Sequence, residues 1–265
     1  MRYTVSFVVT VFLIAGCSKS SETDYVRSGR VQVVFSHEVD QKLLLPDTLL
    51  YSTGTKHLYK VADLQYFVSD FILWQKGGKP VQIMAGLGIH YVDMRVPETL
   101  SWAPADGITP GACDSVSFTF GISAAKNISN RFPNPPERDM AWPDILGGGY
   151  HYMKMNLEYT SHAASGLKPF MFHLGIGQLY SAAMPNPDSI TGYVQNDFRV
   201  TIPTMFTVVS GKICTIECAM QIDRWFDGPA TFDFDDYPGG IMQYQEGMHK
   251  ACLNGRKAFI ITVRK

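Results

Sequence analysis

The chain has 265 residues, of which 46% are hydrophobic, so it is long enough to bury one substantial core. Its 23 Lys and Arg residues nearly balance its 24 Asp and Glu residues, which leaves a formal net charge of -1. The sequence carries no basic stripe, so nucleic acids and anionic membrane surfaces are poor candidates as partners.

The N-terminal segment has the pattern of an export signal. Arg2 supplies a positive start, and residues 5–14 form an apolar run of the length of a signal-peptide core, which is too short to span a bilayer. Small residues then precede Cys17, and a polar stretch follows it, as in a bacterial lipobox. The alternative is an ordinary secretory cleavage in which Cys17 is incidental.

The lipobox interpretation divides the chain into three parts. Residues 1–16 are predicted to be a lipoprotein signal peptide, residues 17–29 a lipidated tether that begins at Cys17, and residues 30–265 a single domain. The expected location is the cell envelope, with the protein lipid-anchored and either periplasmic or on the outer membrane. Attachment to the membrane would be through the lipid anchor only.

Alternation of apolar and polar residues predicts many short strands, of which the first runs from Val31 to His37. Further strands are predicted at residues 59–68 continuing to 73, 81–83, 89–93, 115–121, 150–159, 169–174, 198–202, 205–209, 213–223, 231–235 and 259–263. One helix is predicted at 241–253, with Asn254 and Gly255 as its end. The predicted fold is all-β: an antiparallel β-sandwich with long loops and one short C-terminal helix.

Residues 123–149 form a long connection that contains four prolines and ends in three consecutive glycines. Ordered loops of this length inside a compact domain are often functional. The strands that follow this loop carry two histidines, His151 and His173.

Three histidines lie on the apolar faces of predicted strands. His37 follows Phe35 on one face, strand alternation puts His151 on the face of Met153, and His173 shares its face with Met171. A buried imidazole needs partners for its polar nitrogens, and one shared metal would satisfy all three rings. Imidazole and thioether ligands together suit copper, especially Cu(I). The alternative is that each ring is a core residue bonded to backbone, with the methionines as core filler.

The other histidines and the acidic residues give weaker patterns. His90 is a lesser metal candidate, whereas polar or helix-end contexts predict that His57, His162 and His249 are solvated. The acidic run at residues 233–236 could bind calcium, although it lacks the spacing of an EF-hand loop. The alternative for that run is an exposed turn.

Four cysteines follow Cys17, namely Cys113, Cys214, Cys218 and Cys252. Export would place them where thiols oxidise, so at least one disulfide is predicted, with reduced buried cysteines as the alternative. Cys214 and Cys218 would be roughly 13 Å apart on one strand. That distance exceeds disulfide reach, so these two are not expected to pair with each other.

The sequence contains no motif of a catalytic nucleophile or of a nucleotide site. It has no His-Glu-x-x-His, no Gly-x-Ser-x-Gly, no P-loop and no Cys-x-x-Cys. The protein is therefore not expected to be an enzyme.

An ordered set of short blocks resembles the MbnP-like family of exported copper-binding proteins, which occurs in methanotrophs and, as lipoproteins, in Bacteroidota. The resemblance covers roughly residues 30–260. The blocks are residues 59–73, 90–93, 118–122 with Asn127, 140–150 with its Met-x-Trp and Gly-Tyr pairs, and Phe-His-Leu-Gly at 172–175.

The resemblance implies a β-sandwich with a copper site built from histidines, and it points to His37 and His173 as ligands. His151 is added from strand alternation. In characterised members a tryptophan oxidised to kynurenine joins the site, and a partner di-haem protein of the cytochrome c peroxidase type performs the oxidation. The corresponding position here is Phe35, so the chain departs from the pattern. Trp142 is expected to pack beside the loop, and Phe35, Trp142, Met153 and Met171 are the expected neighbours of the site.

The function predicted from the sequence is an exported lipoprotein that binds copper through histidines for storage, buffering or delivery. The alternative is a surface lipoprotein β-sandwich that binds a glycan or a protein partner. That alternative rests on the 12% aromatic content and on the glycine-rich loop at residues 140–150, which carries a tryptophan. It requires Trp102, Trp142 or Tyr150 to form an exposed platform.

Overall fold

The structure is a computed structural model that describes residues 28–49, 51–83, 86–104, 107–183 and 185–264. The predicted signal peptide, the lipidation site Cys17 and most of the predicted tether lie outside the described residues. Gly29, at the end of that tether, forms an isolated bridge with Ile108. Within the described ranges, no helix has both the length and the apolar character needed to cross a membrane.

The described residues form fifteen strands, one α-helix and six short 3-10 helices. The strands are β1 Arg30–Val39, β2 Lys42–Leu43, β3 Tyr51–Ser52, β4 Leu58–Gln75, β5 Lys79–Gln82, β6 Ile89–Asp93, β7 Ser101–Trp102, β8 Gly111–Phe120, β9 Met153–Thr160, β10 Leu167–Leu174, β11 Gly177–Tyr180, β12 Ile190–Val194, β13 Phe198–Val208, β14 Ile213–Gln221 and β15 Phe259–Arg264. The helix α1 is Gln245–Gly255, and the 3-10 helices are Pro97–Leu100, Glu137–Met140, Asp144–Leu146, Pro187–Ser189, Asp223–Trp225 and Phe234–Asp236.

Two main sheets build the fold. The first sheet has the strand order β15-β14-β1-β2, with β7 also paired to β1. The second sheet has the order β10-β9-β4-β8-β13, with β3, β5 and β6 also paired to β4. The predicted all-β sandwich is confirmed. One pair departs from the antiparallel pattern, because β1 and β14 run parallel.

The core lies between the two sheets and is rich in aromatic rings. Phe35 of the first sheet meets Tyr66 of the second at a centroid distance of 6.4 Å. Phe118 of the second sheet meets Phe259 of the first at 5.1 Å. Edge-to-face ring pairs of this kind add stabilisation beyond the area that they bury. Phe35 thus lies on the inner face of β1, as strand alternation predicts.

Several predicted boundaries shift in the structure. The strands predicted at 198–202 and 205–209 are one strand, β13, with an irregular register between Pro203 and Phe206. The helix predicted at 241–253 begins later and continues through Gly255. The strand predicted at 231–235 is wrong, since a 3-10 turn covers Phe234–Asp236 and the Asp233 side chain accepts a hydrogen bond from the backbone N–H of Asp235.

The predicted disulfide is wrong, because all four described cysteines are free and buried. Burial raises the pKa of Cys113 to about 11 and that of Cys252 to about 12. These cysteines therefore stay protonated and pack as small apolar side chains. Cys214 and Cys218 lie on the single strand β14, and they are not bonded to each other, as expected.

Candidate metal centre

The long loop at 123–149 is held in place by two polar side chains. The Asn127 Oδ1 accepts a hydrogen bond from the Tyr150 N–H at 2.9 Å, and the Ser129 Oγ accepts one from the Gly149 N–H at 2.8 Å. Gly149 has a φ of 78°, and a Cβ at this position would lie 2.5 Å from the Asn127 Oδ1. Glycine is therefore required here for both conformation and space. The loop brings Met140 and Trp142 against His151.

His173 projects from the outer face of β10, away from the core. Its register partner on β9 is Lys154, and its Nε2 lies 2.9 Å from the Oδ1 of Asn156 on the same face. An amide oxygen can only accept, so Nε2 donates this hydrogen bond. The lone pair is then on Nδ1, which is buried and has no hydrogen-bond partner. A buried polar atom without a partner is rare and calls for an explanation.

His151 lies just before β9 and is fixed by the loop. Its backbone N–H donates to the Met140 carbonyl at 2.7 Å, and its Nδ1 lies 3.0 Å from the same oxygen. The carbonyl can only accept, so Nδ1 carries the proton and the lone pair is on Nε2. The Trp142 ring packs against the imidazole edge-on, with centroids 4.6 Å apart.

The two imidazoles meet on the outer face of the second sheet, with ring centroids 5.3 Å apart and planes at 83°. Burial lowers the pKa of His151 to about 4, and the positive charge of Lys154 adds to this effect. Burial, His151 and Lys154 lower the pKa of His173 to about 3. Both rings are therefore neutral at pH 7, which is the state that metal ligation requires.

Of the two methionines expected beside these histidines, Met171 shares a face with its histidine and Met153 does not. Met153 is fully buried on the inner face, opposite Leu174, whereas His151 contacts His173 on the outer face. Alternation fails because His151 precedes the first residue of β9. Met171 does share the outer face with His173, and it is 48% exposed.

His37 lies on the other side of the second sheet from this pair. It projects from β1 into the core, where its Nε2 lies 3.3 Å from the Tyr66 hydroxyl. Burial lowers the pKa of His37 to about 4 against the opposing charge of Asp93. The expected single site with three imidazoles is therefore not formed. Phe35 does not contact the outer pair either, since its ring stacks on His90 at 5.4 Å inside the sandwich.

A second cluster forms around His57, and the prediction that His57 is solvated is wrong. His57 is 0% exposed, and its Nε2 lies 2.7 Å from the Asp233 Oδ1. Within the described ranges, His57, Asp233 and Asp235 are the one group of three His, Cys, Asp or Glu residues whose ligand atoms all lie within 4.8 Å of one another. The acidic run at residues 233–236, which was predicted as a possible calcium site, thus contacts a buried imidazole.

Sequence reasoning missed the residues that orient these imidazoles. Asn156 is a polar outward-facing residue of β9 with no motif around it, and its role depends on the β9–β10 register. His57 lies 176 positions from Asp233. No local pattern could join those two residues, although the acidic run was recognisable.

The aromatic platform required for glycan binding is not present at the named positions. Trp102 is 9% exposed, Trp142 is 2% exposed and Tyr150 is 1% exposed. Their rings pack in the interior instead. Trp102 stacks on His90 at 5.0 Å, and Tyr150 packs against Phe67.

Comparison with known proteins agrees with the resemblance. The family model MbnP matches residues 28–243. The solved structure of MbnP from Methylosinus trichosporium is similar in fold, with a TM-score of 0.55 and 17% sequence identity over 91% of this chain and 100% of that chain. A comparison with curated proteins found no match. The resemblance is confirmed, since the family model covers most of the chain, and the chain belongs to the MbnP family.

Proposed function

We propose that this chain is an exported, lipid-anchored protein that binds copper between His151 and His173 and stores, buffers or delivers it. One observation carries the proposal, namely the buried Nδ1 of His173, which has no partner and lies beside a second imidazole. Each ring has one nitrogen anchored as a donor and offers the lone pair of the other. A shared copper ion would satisfy both lone pairs.

The charges around the pair favour Cu(I). The ligands are neutral, and the ionic group that acts on both imidazoles is the Lys154 ammonium. A nearby positive charge disfavours a divalent ion more strongly than a monovalent one. Cu(I) also accepts few ligands and suits imidazole nitrogen. Met171, on the same face, could supply a thioether.

The surroundings of the pair suit binding rather than chemistry. The Met140 carbonyl and the Asn156 amide orient the two imidazoles, which is the usual task of groups behind metal-ligating histidines. Trp142 closes one side of His151. These contacts offer no nucleophile, so the proposal includes no catalysis by this chain.

The proposed location and partner follow from the sequence and the family. Lipidation at Cys17 after loss of residues 1–16 would anchor the protein to the cell envelope, and nucleic acid is not proposed as a ligand. A di-haem partner of the cytochrome c peroxidase type is the proposed redox partner, although Phe35 replaces the tryptophan of the family pattern. Labelling cells with a radioactive fatty acid tests the anchor, because Cys17→Ser should remove the label.

The copper site is tested by anaerobic titration of the full-length protein with Cu(I) against a competing chelator. His151→Ala and His173→Ala should each abolish stoichiometric binding, whereas His37→Ala should retain it. His249→Ala is the matched control, because that histidine is exposed on α1. Unchanged binding in both pair variants would contradict the proposal. Loss in His37→Ala alone would move the site into the core.

A further inference from the structure

The cluster at His57 joins three separate turns at one end of the second sheet. His57 precedes β4, Asp233 and Asp235 belong to the turn around Phe234–Asp236, and His162 follows β9. Asp235 accepts hydrogen bonds from the Tyr159 hydroxyl at 2.9 Å and from the His162 N–H at 2.8 Å. The His162 ring packs on His57 with centroids 4.1 Å apart. The site is therefore built from both backbone and side chains.

The hydrogen bonds of His57 leave one contact in the cluster that needs either a proton or a metal ion. Its Nδ1 lies 2.7 Å from the Thr160 carbonyl, which can only accept, so Nδ1 carries a proton. Its Nε2 then faces the Asp233 carboxylate at 2.7 Å. The Nε2 lone pair and the carboxylate oxygen are both hydrogen-bond acceptors. They can lie this close only if a proton or a metal ion lies between them.

The charge of the cluster favours a divalent ion over a proton. Among the described residues, His57 is the sole ion-pair partner of Asp233, and Asp235 has none. The two oxygens of Asp235 accept hydrogen bonds from the Tyr159 hydroxyl and from the His162 N–H, which is the arrangement expected of an ionised carboxylate. A single proton on His57 balances only one of the two carboxylate charges. A doubly charged cation balances both.

We infer that His57, Asp233 and Asp235 form a second metal site, specific for a divalent cation of the zinc type. One imidazole and two carboxylates are typical zinc ligands, and a water can complete the coordination because the Asp233 side chain is 31% exposed. The imidazole ligand disfavours calcium, which takes six to eight oxygens. The hydrogen bond from Nδ1 to the Thr160 carbonyl is the type of contact that holds a metal-ligating histidine in place.

This inference is independent of the proposed copper function, so its test uses full-length protein in which His151→Ala and His173→Ala remove the outer imidazole pair. Zn²⁺ is titrated into this variant by calorimetry, and one site per chain is expected. Adding Asp233→Asn should weaken binding at least tenfold. Asp236→Asn is the matched control in the same turn, since Asp236 is paired with Lys250 at 3.9 Å, and it should leave zinc binding unchanged.

If Asp233→Asn disturbs folding, measurements on the variant that lacks only the outer imidazole pair keep the inference testable. X-ray absorption at the zinc edge should show one imidazole and oxygen ligands. Bound zinc should also raise the melting temperature, because it ties three turns together. Absence of zinc binding, equal binding in Asp233→Asn, or a zinc centre with two imidazoles would each overturn the inference.

Discussion

His151 and His173 face each other at a centroid distance of 5.3 Å, and each is anchored through the nitrogen that cannot serve as a ligand. This relationship distinguishes the outer pair from the cluster at His57. The pair is neutral with a lysine nearby, whereas the His57 cluster contains two carboxylates. The fold therefore holds two candidate metal sites that favour cations of different charge. The outer pair favours a soft monovalent cation, and the His57 cluster favours a divalent cation.

Copper affinity should be insensitive to pH until well below the usual histidine range. Burial lowers the pKa values of His151 and His173 to about 4 and about 3, so protons do not compete with the metal at pH 5 to 7. Below pH 4, protonation of an imidazole ligand should weaken Cu(I) binding by about tenfold per pH unit. Chelator competition from pH 7 to 3.5 measures this profile. A fall in affinity centred near pH 6.5 would point to exposed histidines instead.

Asn156→Ala should weaken Cu(I) binding by roughly 10- to 100-fold, because His173 would lose the acceptor that orients it. The protein should still fold, since Asn156 lies on the outer face and is not part of the core. Asn186→Ala, in an exposed turn far along the chain, is the matched control. Equal affinities for the two variants would show that the Asn156 amide does not position the ring.

Lys154→Gln should change metal selectivity. Removing the ammonium removes a charge that lowers the pKa of both imidazoles and that opposes divalent ions. Affinity for Cu(II) should therefore rise more than affinity for Cu(I). Parallel titrations with the two oxidation states give the ratio. Lys168→Gln, elsewhere in the β9–β10 hairpin, should leave that ratio at its original value.

Gly175→Ala should disturb the pair through Trp142. A Cβ at position 175 would lie 2.5 Å from the Trp142 Cε3, so the indole ring must move away from His151. Overpacking of this kind costs about 1–3 kcal/mol of unfolding free energy. Gly192→Ala is the control, because the nearest atom would be a flexible leucine methyl at 3.6 Å. Urea unfolding and tryptophan fluorescence of both variants test the difference.

The inner and outer faces of the two sheets could be predicted from the sequence more accurately than the candidate metal sites. Alternation in β1 predicts a buried His37, and the Phe-His-Leu-Gly block predicts His173 on the face opposite Phe172, as observed. Alternation fails at His151, because the strand begins two residues later and the loop fixes the ring. The His57 cluster depends on contacts between distant turns, which no local periodicity encodes.

The stability of the metal-free protein should fall as the pH drops from about 6.5 to about 4. His37, His151 and His173 have depressed pKa values in the folded state, so only the unfolded chain takes up their protons in this window. Each such histidine contributes a loss of up to about 1.4 kcal/mol per pH unit. Above pH 6.5 these groups are neutral in both states and add no pH dependence. Urea unfolding with a chelator present, at pH 7, 6 and 5, measures the slope.

His37→Gln removes one titrating group and should make the slope shallower, whereas His249→Gln, on the exposed face of α1, should not. Parallel slopes for wild type and His37→Gln would show that His37 takes up its proton equally in the folded and unfolded states, which would contradict the depressed pKa.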